Sequence, residues 1–268
     1  MKEITIEYIN KSIELLEKVH KQIHGNKDGT LVAFALLSNG IIDSSKTIST
    51  LIASNKLRDA YIISRPIFEH CLNIGYFSVM GEEMIEKAYN HSLSKTYRDL
   101  RRKVEIGDIK FSIGLSEEIK VDVHDRLENA LEEFTNKKGH EIRSWSNDNT
   151  FRKIKLITEK YGNGIGFPFS LCLYYIYRHS SEIIHGSIFG AMFSLGMTQE
   201  RSEWPESKEE FDEYYNHRLT LLGQSIILLI SSTIHIIGNH SDIDEIEKEN
   251  KTLVSKFRKE MKTGTNKR

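Results

Sequence analysis

The chain is poor in residues that break helices and in residues that staple loops. It has three prolines and two cysteines in 268 residues. So few prolines leave long stretches free to stay helical. Cys71 and Cys172 both sit in apolar surroundings. Two such thiols exclude a disulfide framework and read as small core residues in a reducing compartment. The net charge of −1 gives no bulk attraction to nucleic acid or anionic lipid, so any basic site has to be a local patch. Sustained strand-type alternation is missing. The opening MKEITIEYINKSIELLEKVHK carries acids early and is unlike a signal peptide. The longest apolar run, LLGQSIILLISSTIHIIG from Leu221, is interrupted by Gln224, Ser225 and His235 and suits a buried helix rather than a membrane span. The expectation is a cytoplasmic protein without a membrane span.

What is present is helical periodicity almost end to end. It predicts helices near 3–24, 30–54, 57–79, 82–108, 115–137, 150–161, 168–195, 208–238 and 241–262. Ser207 with Glu210, and Ser241 with Asp244, have capping-box spacing. Asn149 suits a cap, and Pro168 suits the first turn of a helix. The charged region 82–138 reads as a long helical hairpin forming an outer arm. The fold class is therefore all-α, a multi-helix bundle. Residues 1–240 form one domain, with 241–268 as a C-terminal amphipathic helix and basic tail. That tail is open to two uses, closing the bundle or holding RNA or a partner. The glycine-rich YGNGIGF at 161–167 lacks the strand and spacing of a dinucleotide fingerprint and reads as a connector.

Two polar clusters interrupt apolar helices. In YRHSSEIIHGS, 177–187, the positions Leu171, Tyr174, Arg178, Ser181, His185 and Ile188 fall on one helical stripe. In SRPIFEHCLNIGYF, 64–77, Tyr61, Arg65, Glu69, Leu72 and Tyr76 form another. Buried charge is costly unless paired. The two stripes are therefore expected to face each other, with Arg65, Glu69, Arg178, Ser181 and His185 in one hydrogen-bonded site. The bland alternative is a polar network that fixes helix register without chemistry.

Arg65-x4-His70 and Arg178-x6-His185 resemble the arginine–histidine motif of the higher eukaryote and prokaryote nucleotide-binding (HEPN) helical domains. Many of those are ribonucleases of toxin or antiviral-defence type that act as dimers. The wider order Arg65-x3-Glu69, then Trp145-Ser146, then Tyr177-x3-Ser181-x3-His185-Gly186-Ser187 resembles a bacterial family known as domain of unknown function 5677. Together the resemblances imply a HEPN-like all-α homodimer and a metal-independent endoribonuclease or toxin-type effector. In it His185 is the acid–base group, Arg178 and Arg65 hold the scissile phosphate, Glu69 orients a partner and Ser181 supports the histidine. His70 is the rival for the reactive histidine. Histidine suits proton transfer near neutral pH, and arginine suits bidentate phosphate binding. The alternative function is a non-catalytic interaction module that docks a partner protein.

A metal reading rests on Glu182-x-x-His185 and Glu17-x-x-His20, the spacing of carboxylate-bridged bundles. It lacks a fourth ligand, and no metal or other cofactor is expected. For RNA, Arg98, Arg101 and Arg102 in KTYRDLRRKV share a face if 82–108 is helical, with Tyr97 available to stack a base. Tyr174, Tyr175 and Tyr177 could wall a nucleotide pocket or simply pack in the core. His235 reads as a satisfied core histidine.

Overall fold

The computed structural model describes residues 1–99, 101–114, 125–196 and 207–265. The chain divides into two compact units, residues 1–79 with 150–268, and residues 80–149. The fold is an all-α multi-helix bundle, as the periodicity predicts.

The larger unit begins with α1 (Lys2–Ile23), α2 (Gly29–Ala53) and α3 (Leu57–Met80), the last residue of α3 belonging to the smaller unit. The chain returns in α6 (Thr150–Tyr161) and α7 (Asn163–Cys172). A π-helical segment, Leu173–Tyr177, runs into α8 (Arg178–Ile184), followed by α9 (Ile188–Ser194). It closes with α10 (Lys208–Gly238) and α11 (Asp244–Thr265). In α1 the buried positions Ile9, Ile13, Leu16 and Val19 recur every three or four residues, and that stripe packs on α2 and α10. α10 buries apolar residues around most of its circumference from Leu219 onward, the pattern of a central helix. It is long and apolar enough to cross a membrane by composition. It packs against α1, α2, α7 and α11. α11 buries Val254 and Phe257, and Phe257 stacks 5.0 Å from Tyr8 of α1. The C-terminal helix is thus part of this unit rather than an appendage. Cys71 and Cys172 are free and buried, and burial pushes the Cys71 thiol up to about 12.

Local signals set several helix ends. Asp28 accepts hydrogen bonds from the N–H groups of Thr30 and Leu31 at 2.8 and 3.0 Å and so caps α2. Asp28→Ala is expected to cost about 1–2 kcal/mol, read as a lower melting temperature. Ser207 caps α10 by accepting from the Glu210 N–H. Ser241 instead spends its hydroxyl on the Ile237 carbonyl. Pro168 lies inside α7, because that helix starts five residues earlier than the sequence suggests.

The smaller unit departs most from the expected helices. α4 (Glu82–Asp99) stops where β1 (Arg101–Ile106) begins, and β1 pairs antiparallel with β2 (Ile109–Gly114) through Gly107-Asp108. Residues 115–124, expected to open a helix, lie outside the described residues, as does most of the 194–207 connection. α5 (Asp125–Glu133) packs on α4, so the paired helices carry a β-ribbon. Val104, Ile106, Ile109 and Phe111 alternate around a Gly-Asp turn, a short strand signal inside a charged segment. The Arg98 guanidinium caps the end of α5, donating to the carbonyls of Leu131 and Phe134 and to the Thr135 hydroxyl.

Candidate functional site

The residues 173–187 are built differently from a plain helix. In the π-helical segment the Arg178 N–H bonds to Leu173 O, five residues back. The Tyr174 carbonyl is thereby released from its α-helical partner, and His179 Nδ1 lies 3.0 Å from it. A carbonyl only accepts, so Nδ1 carries the proton and Nε2 keeps its lone pair. π-Helical insertions of this kind recur at functional sites.

α8 then ends in a complete Schellman closure. The Gly186 N–H bonds to Ile183 O and the Ser187 N–H to Glu182 O. Gly186 takes φ +64, which suits glycine at this position. Ser187 caps α9 through the Gly190 N–H. His185-Gly186-Ser187 is therefore a helix stop and restart, where the sequence predicts one helix over 168–195. The stretch is also less buried than its stripe suggests. Arg178, Glu182 and His185 are exposed, because α8 is two turns long and lies at the rim of its unit.

A cavity of about 730 Å³ opens beside α8. Tyr174, Tyr175 and Tyr177 wall it, Arg178, His179, Ser181 and Glu182 project from α8, and Phe189 and Arg218 complete the lining. The volume lies in the range of small-ligand pockets, roughly 300–1,000 Å³. The Arg178 guanidinium stacks 5.3 Å from the Tyr174 ring. Arg218 of α10 sits 5.3 Å from Phe193 and 5.5 Å from Tyr214. His179 packs against Phe193 at 4.5 Å, with Tyr61 and Phe189 at 5.8 and 6.0 Å. Burial lowers the His179 pKa below its usual value, and Arg218 and Arg178 add to this. At neutral pH its ring is uncharged, with Nε2 free to accept a proton.

The five residues expected to share one site are divided. Arg178 and Ser181 line the cavity. Arg65 donates from Nε to Glu69 at 2.9 Å, and its guanidinium lies 4.8 Å from the Tyr177 ring. Tyr177 in turn packs 5.7 Å from Phe68. Arg65 and Glu69 thus sit behind the tyrosine wall and brace it against α3. His185 is outside the lining, at the exposed C-terminal end of α8. His70 turns toward α2, where its Cε1 would lie 2.5 Å from a Cβ placed on Gly40. His179 and Arg218 are the lining groups that the stripe does not mark. His179 is next to Arg178, and its neighbour position in the arginine–histidine string was the available signal. Arg218 had none, being forty residues away in a different helix.

The other candidates are placed as follows. Arg98 is engaged with α5, and Arg101 stacks 4.4 Å from Tyr97. Arg102 lies in β1 and its side chain is outside the described residues. The shared helical face of the three does not form, because the helix ends at Asp99. Among the described residues no three His, Cys, Asp or Glu side chains cluster as metal ligands. Glu17 pairs with Lys46 at 2.7 Å, and His235 pairs with Glu247 of α11.

Two outcomes follow from burial here. Tyr61 is fully buried, and its hydroxyl has no hydrogen-bond partner among the described residues. Tyr61→Phe should leave stability unchanged or raise it by about 1 kcal/mol, as read by denaturant melts. His70, His179 and His240 all have pKa values lowered by burial from the usual 6.5. The unfolded chain then binds protons more readily than the folded one, so stability is full above about pH 6.5 and falls as pH drops below it. Melting temperatures across that range check the sign.

Residues 31–203 match the model of a protein family described as a family of unknown function, DUF5677. The chain belongs to that family. The matched span holds Arg65, Glu69, Arg178, His179, Ser181 and His185 and stops short of Arg218. No curated protein and no solved structure matches the chain.

Proposed function

We propose that this DUF5677 protein is an RNA-directed, metal-independent endoribonuclease whose reaction centre is the cavity beside α8. The observation that carries the reading is that Arg178, Arg218 and His179 line one cavity together with Tyr174, Tyr175 and Tyr177, with His179 Nδ1 committed to the Tyr174 carbonyl. Two guanidinium groups suit a phosphodiester bidentately and stabilise the charge that develops on it. Tyrosine rings offer stacking surface to unpaired bases. His179 Nε2 takes the proton of a ribose 2′-hydroxyl, and that oxygen attacks phosphorus. The bond from phosphorus to the 5′-oxygen breaks, and the leaving oxygen gains a proton from water, which is regenerated from protonated His179. The products are a 2′,3′-cyclic phosphate and a free 5′-hydroxyl.

This reading keeps the HEPN-like expectation of an arginine–histidine ribonuclease of toxin or defence type and moves the base from His185 to His179. Arg65 and Glu69 are positioning residues that act through Tyr177, and Ser181 is a polar lining group. His185 lies at the exposed end of α8, outside the lining, and the homodimer that the resemblance implies would let it enter a shared site from a second copy. The structural alternative is favoured for one part of the cluster, the Arg65–Glu69–Tyr177 brace, where charge and ring serve packing.

Expression of the wild type and of Arg178→Ala in a bacterial host tests the reading. Arrested growth with fragmented total RNA, absent in the variant at equal soluble yield, supports it. Intact RNA and normal growth at high expression of the wild type count against it.

A further inference from the structure

A second cleft lies between α7, α10 and α11, within the same unit, with a volume of about 530 Å³. α11 supplies Lys251, Arg258, Lys259 and Lys262 to its lining. The spacing places them on one helical face. The floor is apolar, from Ile165 and Pro168 of α7, Leu228 of α10 and Val254 of α11. Ser231 and Ser255 add hydroxyls between floor and rim.

The charges of α11 are sorted by side. Glu249 pairs with Lys18 of α1 at 2.7 Å, Glu260 accepts the Tyr8 hydroxyl at 2.9 Å, and Glu247 takes His235. Those acids are committed to packing the helix on α1 and α10. Among the described residues, Lys251 has one distant ion-pair contact, with Glu247 at 3.9 Å. Arg258 and Lys259 have no ion-pair partner among the described residues and are exposed. Lys251, Arg258 and Lys259 place like charges around one cleft, and a bound polyanion relieves their repulsion. An apolar floor under a cationic rim suits a molecule with a planar, weakly polar part and several phosphates. A cleft bounded by three helices favours a small molecule over a long strand or a lipid surface, which would need an open face.

We propose that this cleft binds a small, multiply phosphorylated molecule with a planar heteroaromatic part, the chemistry of a nucleoside triphosphate. The glycine-rich connector and the basic C-terminal segment meet here. The first contributes Gly164, where a Cβ would meet nothing within 4 Å, and the second contributes the cations. The site is separate from the cavity beside α8, and its occupancy does not depend on that cavity being catalytic.

Isothermal titration calorimetry of the full chain with ATP, inorganic triphosphate and adenosine tests the proposal. The expected result is saturable binding of one ATP per chain, competed by triphosphate and much stronger than binding of adenosine. Arg258→Gln with Lys259→Gln should weaken it by about tenfold or more, while Arg178→Ala leaves it unchanged. Both substituted side chains are exposed, so the fold should persist, and a melt confirms it. No binding of ATP at roughly 1 mM, binding indifferent to the double substitution, or binding lost instead in Arg178→Ala would each overturn it. So would the same cations binding an RNA oligonucleotide or anionic lipid vesicles while ATP does not bind.

Discussion

Replacing Arg178 and Arg218 together with alanine is expected to lower RNA cleavage by about a thousandfold or more, with the protein still folded. Removing one preorganised donor to a developing oxyanion costs about 10²–10³ in rate, and groups that act as a unit lose less than the product when removed together. Arg178 is exposed and stacks on Tyr174. Arg218 is half-buried and loses its contacts with Phe193 and Tyr214. Each cation–π contact is worth about 0.5–1 kcal/mol at such sites, so melting should fall by only a few degrees. Arg178→Lys should recover part of the activity, since it restores charge without the planar fork. The pH profile adds a second readout. Burial holds His179 below 6.5, so a neutral base persists into mildly acid solution, and the acid limb of kcat/KM should fall below that value. His179→Asn should abolish that limb, while His185→Ala should preserve it.

Gly190→Ala is expected to be the most damaging small substitution for folding, at about 2–3 kcal/mol. A Cβ at this position would lie 2.6 Å from the Glu182 carbonyl oxygen and 2.8 Å from Ile183 Cα. These are backbone atoms, which cannot rotate away, so α8 and α9 must separate. Overpacking of this kind typically costs about 1–3 kcal/mol and occasionally more. For a unit of this size the melting temperature should drop by roughly 5–10 °C. Glu182 and Phe189 flank the contact and line the cavity, so activity should suffer as well. Gly29→Ala is the control. Nothing lies within 4 Å of its Cβ, and the change should be neutral or slightly stabilising. Equal losses in the two variants would show that the close approach of α8 and α9 is not what Gly190 serves.

The helices with strong three-and-four periodicity were legible in the sequence. α1, α2, α3 and α10 lie within a few residues of their expected spans because burial of one stripe, or of a whole apolar helix, dominates their energetics. The β-ribbon was hidden, since Val104 to Ile106 and Ile109 to Phe111 alternate over too few residues to outweigh a charged, helix-favouring neighbourhood. The break at His185 to Ser187 was carried by one glycine and one serine, a short capping signal inside an otherwise periodic run. The polar stripe marked Arg178 and Ser181, which line the cavity. His185 falls outside the cavity lining because α8 stops at Ile184 and leaves His185 at its exposed cap, while the π-helical turn before Arg178 shifts Tyr174 relative to α8, which straight-helix spacing cannot register. Arg218 depends on the packing of α10 near α8, which is a tertiary fact. Arg65 and Glu69 were recognisable as a pair from i, i+4 spacing, while their place behind Tyr177 was not.

The most direct measurement is cleavage of an end-labelled single-stranded RNA by the purified chain in excess chelator, with analysis of the product ends. The account predicts fragments ending in 2′,3′-cyclic phosphate and beginning with 5′-hydroxyl, formed without divalent metal and lost in Arg178→Ala with Arg218→Ala. An intact RNA at high enzyme concentration, or cleavage that needs a metal ion or survives the loss of both arginines, would contradict it.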